Sequence, residues 1–97
     1  MFAISVFFEI DPAHSAEFAR LSLRHAENTL KNEAGCLDFR ILQSPDNPNS
    51  FYFHEAYKDR AAVEDVHMKT EYLAAFMAAT GPWIVKRDMQ FWNGAKA

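Results

Sequence analysis

The first ten residues alternate between strongly apolar side chains and smaller or polar ones, as a strand with one buried face does. The apolar positions are Phe2, Ile4, Val6, Phe8 and Ile10. Asp11-Pro12 then predicts a helix start, with Asp as the N-cap and Pro at the first helical position. This helix is expected to run to about Asn32, and Gly35 is expected to end it in a left-handed conformation. Its buried side is predicted to comprise Phe18, Ser22, Ala26, Thr29 and Leu30.

The rest of the chain continues as two short helical stretches and three more strands. Strands are expected over 36–43, 51–57 and 83–92, with Leu37, Phe39 and Ile41 on one face of the first of these. Asp59 is expected to cap a short helix, and Thr70 a second helical stretch that reaches Thr80. The order β-α-β-β-α-β predicts one α+β domain over residues 1–97. Its expected architecture is ferredoxin-like, a four-stranded antiparallel sheet with helices on one face.

The predicted strands carry bulky side chains on both faces. Neighbouring pairs that point in opposite directions are Phe7 and Phe8, Tyr52 and Phe53, and Phe91 and Trp92. Helices cover only one face of such a sheet, so the other face is expected to pack against a partner. A second copy of the same sheet is the simplest partner, and we therefore expect a homodimer.

Composition narrows the class of protein. The 97 residues carry a net charge of −3 without a basic stripe, which gives no reason to expect nucleic-acid binding. No apolar run has the length of a membrane span, and the first residues lack the pattern of a signal peptide. We therefore expect a cytoplasmic protein that does not bind membranes. The single cysteine, Cys36, allows no disulfide within the chain.

The candidate chemistry lies between His54 and His67. On a strand, Glu55 and Tyr57 point to the same side as Phe53, and an unpaired carboxylate in that apolar row would be costly. His67 follows one short helix later, so we predict a Glu55–His67 pair with His67 as a general base and the Tyr57 phenol nearby. The alternative is a structural contact that ties the helix to the sheet.

The remaining candidates are aromatic. Tyr72, Trp83, Phe53 and His25 are the predicted substrate-binding residues, although the tyrosines also suit a core role and His25 a partly buried packing role. The chain has no glycine-rich phosphate loop, no nucleophile elbow and no metal-ligand spacing. An enzyme built from these residues is expected to transfer protons in an aromatic pocket, without a metal or another cofactor.

The stretch N-E-A-G-C-L-D-F-R-I-L-Q-S-P-D-N-P-N-S-F-Y-F-H-E-A-Y-K-D resembles the antibiotic biosynthesis monooxygenase family of dimeric α+β barrels. The most specific parts are E-x-G-C-L-x-F, E-A-Y-K-D and a His ten residues after Tyr57. The resemblance implies cofactor-independent oxidation of an electron-rich phenol, quinol or anthrone by molecular oxygen. It makes His67 the base and Glu55 its partner. Tyr57 and Tyr72 would position the substrate oxygen; Tyr72 stands where many members have a second His.

Two alternatives remain open. E-A-Y-K-D with T-G-P is also similar to an isomerase of a phosphorylated hydroxy-diketone in quorum-signal turnover, which would need a phosphate site at Lys69, Lys86 or Arg87. Lys86 and Arg87 point to opposite faces of a strand, so at most one is expected to reach the pocket. The other alternative is a non-catalytic dimeric binding protein. An enclosed cavity lined by Glu55, Tyr57, His67 and Tyr72 would favour an enzyme.

Overall fold

The computed structural model describes residues 1–96. Its antiparallel strands are β1 (Phe2–Ile10), β2 (Cys36–Gln43), β3 (Ser50–Tyr57) and β4 (Ile84–Asn93), and its α-helices are α1 (Ser15–Asn32) and α2 (Glu71–Thr80). The sheet order is β2-β3-β1-β4, and the helices pack on one face, which confirms the ferredoxin-like prediction. None of the helices in this range is long and apolar enough to cross a membrane.

The core lies between α1 and the inner face of the sheet. Phe18 of α1 is fully buried, with its ring centroid 5.3 Å from Phe8, 4.9 Å from Phe51 and 5.9 Å from Phe53. Burial of one such ring stabilises the fold by roughly 2–3 kcal/mol. The alternation predicted for β1 is confirmed, because its five apolar inner residues are all buried.

The end of α1 lies at Asn32 as predicted, whereas its start lies at Ser15, three residues after the predicted first helical residue, Pro12. Asp11 Oδ1 accepts a hydrogen bond from the Ala13 amide at 3.1 Å, and Pro12 lies in the short 3-10 turn that precedes α1. Leu30 lies at the margin of the buried face and is 45% exposed, so its predicted burial is wrong. The chain leaves α1 at Glu33 in an extended conformation, with φ −120° and ψ 104°.

Gly35 is needed for close packing rather than for a left-handed turn. No glycine among residues 1–96 has a positive φ, so the predicted left-handed stop is wrong. A Cβ atom on Gly35 would lie 2.7 Å from Cβ of Ala62, which is closer than two carbons can approach. The glycine therefore lets the chain after α1 lie directly against the segment that follows β3.

A β-bulge changes the face of one predicted core residue. Cys36 pairs with Tyr57 and Asp38 pairs with Ala56, so Leu37 is an extra residue in β2. Leu37 is 57% exposed and Phe39 is buried, which makes the predicted shared face of the two side chains wrong. The extra residue interrupts the alternation of faces in β2, and regular pairing with β3 resumes at Asp38.

The segment between β3 and α2 is irregular. Asp59 Oδ1 accepts from the Ala62 amide at 2.8 Å, as a cap does, and a wide π-helical turn then covers Ala62–Val66. A 3-10 turn over His67–Lys69 follows, and Thr70 caps α2 by accepting from the Leu73 amide at 3.3 Å. Both predicted caps are confirmed. The wide turn directs His67 inward, where it is 3% exposed.

The outer face of the sheet carries the second set of bulky side chains. Phe7 and Tyr52 stack with ring centroids 4.7 Å apart, and Trp92 Nε1 donates to Ser5 Oγ at 2.9 Å. Phe7 and Trp92 are about half exposed. The predicted two-faced pattern is confirmed, and the homodimer that it suggests stays a prediction.

Candidate functional site

A cavity of about 350 Å³ separates the inner face of the sheet from α2 and the irregular segment before it. Its walls are mostly aliphatic and aromatic, and its volume is near the lower end of the range for small-molecule sites. The charged and titratable side chains that line it are His25, Glu55, Arg60, Glu64, His67 and Arg87. A small, largely apolar molecule with one or two polar groups matches this lining.

His67 is held by Glu33 rather than by Glu55. Its Nδ1 lies 2.8 Å from Glu33 Oε2 and 3.1 Å from Oε1, and both side chains are buried. The predicted Glu55–His67 pair is therefore wrong, because the end of α1 brings a different carboxylate to the imidazole. A carboxylate at Nδ1 keeps the proton on that nitrogen and leaves Nε2 as an acceptor. Nε2 has no hydrogen-bond partner within residues 1–96.

Glu33 is not among the site residues predicted from the sequence. The signal that identifies it is the first residue of E-x-G-C-L-x-F, the motif on which the family resemblance rests. Glu33 also lies eight residues after His25, so the buried face of α1 continues to it. Its depth of burial, 4% exposed, is unusual for a glutamate at the end of a helix.

Tyr72 completes the group around Glu33. Its hydroxyl donates to Glu33 Oε2, so one carboxylate binds both Tyr72 and His67. Burial and this hydrogen bond raise the pKa of Tyr72 well above its usual value. Among the described residues Tyr72 is not part of the cavity wall, contrary to the prediction, and it contacts the site through Glu33.

Glu55 and Tyr57 form a second buried pair. The Tyr57 hydroxyl donates to Glu55 Oε1 at 2.8 Å. Burial raises the pKa of Glu55 to about 7, the Tyr57 hydrogen bond opposes this rise, and the charge of Glu33 adds to it. Tyr57 is fully buried and does not line the cavity, so its predicted contact with a substrate is not supported. Glu55 lines the cavity and exists in both protonation states near neutral pH.

His25 and Phe53 line the cavity, and Trp83 does not. His25 is 4% exposed, more buried than predicted, and its ring stacks on Phe76 with centroids 4.6 Å apart. Burial, followed by the proximity of His67, lowers the pKa of His25 to about 4, so its imidazole is neutral at physiological pH. Trp83 stacks on His14 at 4.8 Å instead, which makes its predicted role as a cavity wall wrong.

One of the three basic residues suggested for phosphate binding reaches the cavity. Arg87 lines it beside Phe8, whereas Lys86 points to the outer face opposite Glu9. Lys69 is not among the lining residues of the described chain. The prediction that at most one of Lys86 and Arg87 reaches the pocket is confirmed.

Comparison with known proteins identifies the family of this chain. Residues 1–79 match the family model described as "Antibiotic biosynthesis monooxygenase". The uncharacterized protein sll1783 of Synechocystis sp. is 30% identical over 78 residues, which are 80% of this chain and 52% of that protein. The chain therefore spans about half the length of this curated relative.

Solved structures share the whole fold. A Nitrosomonas europaea protein assigned provisionally to the antibiotic biosynthesis monooxygenases superposes with a TM-score of 0.91 at 25% identity, covering 99% of this chain and all of that one. A Caulobacter crescentus CB15 protein with the same provisional assignment gives a TM-score of 0.89 at 25% identity, covering 98% of this chain and 90% of that one.

Proposed function

Since this chain belongs to the antibiotic biosynthesis monooxygenase family, we propose that it oxidises a small electron-rich aromatic, such as a phenol, quinol or anthrone, with molecular oxygen. The proposed reaction uses no cofactor. The observation that carries it is the unpartnered Nε2 of His67, which is held by Glu33 at the wall of an apolar cavity. Such a nitrogen is suited to take a proton from a bound hydroxyl group.

The first step is deprotonation. His67 Nε2 takes the proton of the substrate hydroxyl, and the Glu33 carboxylate stabilises the imidazolium that forms. Loss of the proton makes the aromatic ring a far better electron donor. The apolar walls exclude water, so the anion is not stabilised by solvent and reacts with oxygen instead.

The second step combines the anion with oxygen. The anion transfers one electron to O₂, and the resulting radical pair combines to form a carbon–oxygen bond at a ring carbon that bears hydrogen. This peroxide anion takes the proton held by His67 and becomes a hydroperoxide. The C–H and O–O bonds then break: the carbon-bound proton passes to His67 Nε2, the outer oxygen leaves as water and a carbonyl remains, so one oxygen atom enters the product and the other enters water. Glu55, with a pKa near 7, supplies a proton to the departing peroxide oxygen.

Two of the other predicted site residues donate hydrogen bonds to the carboxylates of Glu33 and Glu55. Tyr72 fixes Glu33 and Tyr57 fixes Glu55, so both phenols position acids rather than the substrate. Phe53 forms part of the wall on which an aromatic ring stacks. A homodimer formed through the outer face of the sheet completes the proposal and leaves this cavity on the opposite face.

One observation favours the isomerase as a second candidate. Arg87 places a cation at the cavity, where it would bind the phosphate of a hydroxy-diketone. His67 would then remove a proton beside a carbonyl group and return it to the neighbouring carbon. A purely structural dimer is less well supported, because side chains do not fill the space beside His67 and Glu55.

Oxygen uptake by the purified protein tests the proposed function. We expect uptake above the autoxidation rate with a panel of quinols and hydroxynaphthalenes, unchanged by a metal chelator. His67→Ala should reduce it by roughly 100- to 10,000-fold, since a positioned general base contributes about that factor. His14→Ala is the matched control, because His14 stacks on Trp83 outside the cavity.

The outcomes separate the candidates. Uptake that persists in a folded His67→Ala variant would exclude His67 as the base. No uptake by the wild type, together with exchange of the carbon-bound proton of a phosphorylated hydroxyketone, would identify the isomerase. If neither oxygen uptake nor proton exchange is detected, the alternative of a non-catalytic binding protein is favoured.

A further inference from the structure

His25 has one nitrogen that is sealed inside the protein. Its Nδ1 is buried without a hydrogen-bond partner within residues 1–96, and so is Ser22 Oγ one helical turn earlier. The ring lies between Phe76, stacked at 4.6 Å, and Phe39, which meets it edge-on at 5.5 Å. With Nδ1 closed off, Nε2 is the nitrogen that can meet a molecule bound in the cavity.

The lack of a partner at Nδ1 determines which nitrogen carries the hydrogen. A neutral imidazole has one N–H donor and one acceptor nitrogen. Nδ1 is unpaired in either tautomer, but an orphaned N–H donor is rarer in folded proteins than an orphaned acceptor, and a hydrogen on Nε2 can be satisfied by a ligand. His25 therefore presents Nε2–H to the cavity.

The imidazole rings of His25 and His67 lie side by side and offer complementary hydrogen-bonding groups. Their ring centroids are 5.4 Å apart and their planes are tilted by 56°. His67 offers an acceptor, because Glu33 holds its Nδ1 proton, and His25 offers a donor. Two hydrogen bonds of about 2.9 Å that meet at one oxygen atom join nitrogens roughly 5 Å apart. The spacing of the rings suits two nitrogens that converge on a single substrate oxygen.

We propose that His25 is a second catalytic residue, which donates Nε2–H to the substrate oxyanion as His67 removes its proton. The O–H bond breaks, the proton passes to His67 Nε2, and the electron pair stays on the oxygen that His25 binds. This inference rests on the proposed function and narrows the substrate class to molecules that ionise at a hydroxyl or enol oxygen. A neutral donor is suited to the task, because it stabilises the anion without competing for the proton.

The test uses 4-nitrophenol, whose phenolate absorbs at longer wavelength than the phenol. Binding of both forms is measured by titration across pH without any oxidation. His25→Phe keeps the stacked ring and removes the donor, so it should weaken phenolate binding by about 10- to 100-fold, as loss of a hydrogen bond to a charged group does. Binding of the neutral phenol should change less than about twofold. His25→Gln, whose amide nitrogen can replace Nε2, should recover part of the phenolate affinity.

If His25→Phe weakens binding of the phenol and of the phenolate equally, His25 only forms part of the cavity wall and the proposal is overturned. Unchanged affinity for both forms would also overturn it. Nitrogen-15 NMR of the wild type provides a check that needs no folded variant, because a hydrogen found on Nδ1 of His25 would also overturn it. Neither measurement depends on oxygen uptake. A protein that binds the phenolate through His25 but consumes no oxygen would contradict the proposed function alone.

Discussion

Glu33 organises the site by accepting hydrogen bonds from two side chains that are distant from it in sequence. His67 and Tyr72 both donate to its carboxylate, and both come from the region that follows β3, whereas Glu33 ends the helix α1. A buried carboxylate is costly unless its lone pairs are filled, and two donors from one partner segment fill them. The acid therefore orients the base and also fastens the cavity wall to α1.

Glu55 gives the stability of the protein a distinctive pH dependence. Its pKa rises from an ordinary 4.5 to about 7 in the folded protein. The folded state thus keeps a proton that the unfolded chain has already released, so the free energy of unfolding falls as pH rises from 4.5 to 7. Glu55→Gln cannot titrate and should gain stability over the wild type across this window, by on the order of 3 kcal/mol at its upper end.

Urea unfolding of both proteins between pH 4 and 8 measures this difference. His25 acts in the opposite sense, because its lowered pKa makes the folded state lose stability as pH falls from 6.5 toward 4. The comparison of variant with wild type removes that contribution. A constant difference across the range would show that Glu55 is not held in an apolar environment.

At this scale the sequence predicted four residues that line the cavity, but it did not predict the partner of His67. Alternation along β3 places Phe53 and Glu55 on the inner face, and His67 does return to the same cavity. The partner of His67 was misassigned, because pairing depends on where the end of α1 meets a 3-10 turn. That meeting is a contact between distant parts of the chain, and no local pattern encodes it.

Among the elements, the contact between Gly35 and Ala62 joins the end of α1 to the π-helical turn. Strands, helices and caps follow from periodicity and N-cap chemistry, and the predicted ends lie within one or two residues of the observed ones, except that α1 begins three residues after the predicted Pro12. The bulge at Leu37 and the turn over Ala62–Val66 do not follow. Each adds one residue to a regular element without changing the residue types that mark it.

Gly35→Ala should destabilise the protein by about 1–3 kcal/mol, since the new Cβ would overlap that of Ala62. Gly81→Ala is the matched control, because nothing lies within 4 Å of its added Cβ, and its φ of −50° suits alanine. That variant should be neutral or slightly stabilised. Chemical denaturation of both variants measures the effects, and equal stabilities would mean that the contact at Gly35 relaxes freely.

For the whole molecule, the two faces of the sheet have different tasks. The inner face builds the cavity, and the outer face presents the stacked Phe7 and Tyr52 together with the half-exposed Trp92. Association of two outer faces would bury these rings from water, and burial of apolar area is the main driving force for such contacts. The proposed homodimer thus leaves each cavity open on its own side.

Phe7→Lys should convert the proposed dimer to a monomer, because it places a charge among the rings that the proposed interface would bury. Sedimentation velocity at micromolar concentration measures the change in mass. Leu23→Lys is the control, since Leu23 is 56% exposed, against 47% for Phe7, but lies on α1, away from the outer face of the sheet. A wild type that sediments as a monomer, or a Phe7→Lys variant that remains a dimer, would place the interface elsewhere.

The two walls of the cavity differ in stiffness. His25 is carried by a regular helix whose hydrogen-bonded turns fix its position, and Glu33 follows the last turn of that helix, whereas His67 lies where a wide turn meets a tight one. Irregular turns of this kind yield at lower energetic cost than an α-helix of eighteen residues. We therefore expect ligands of different thickness to be accommodated by movement of the segment that carries His67, while His25 keeps its position. The cavity is thus expected to widen on the side of His67 only.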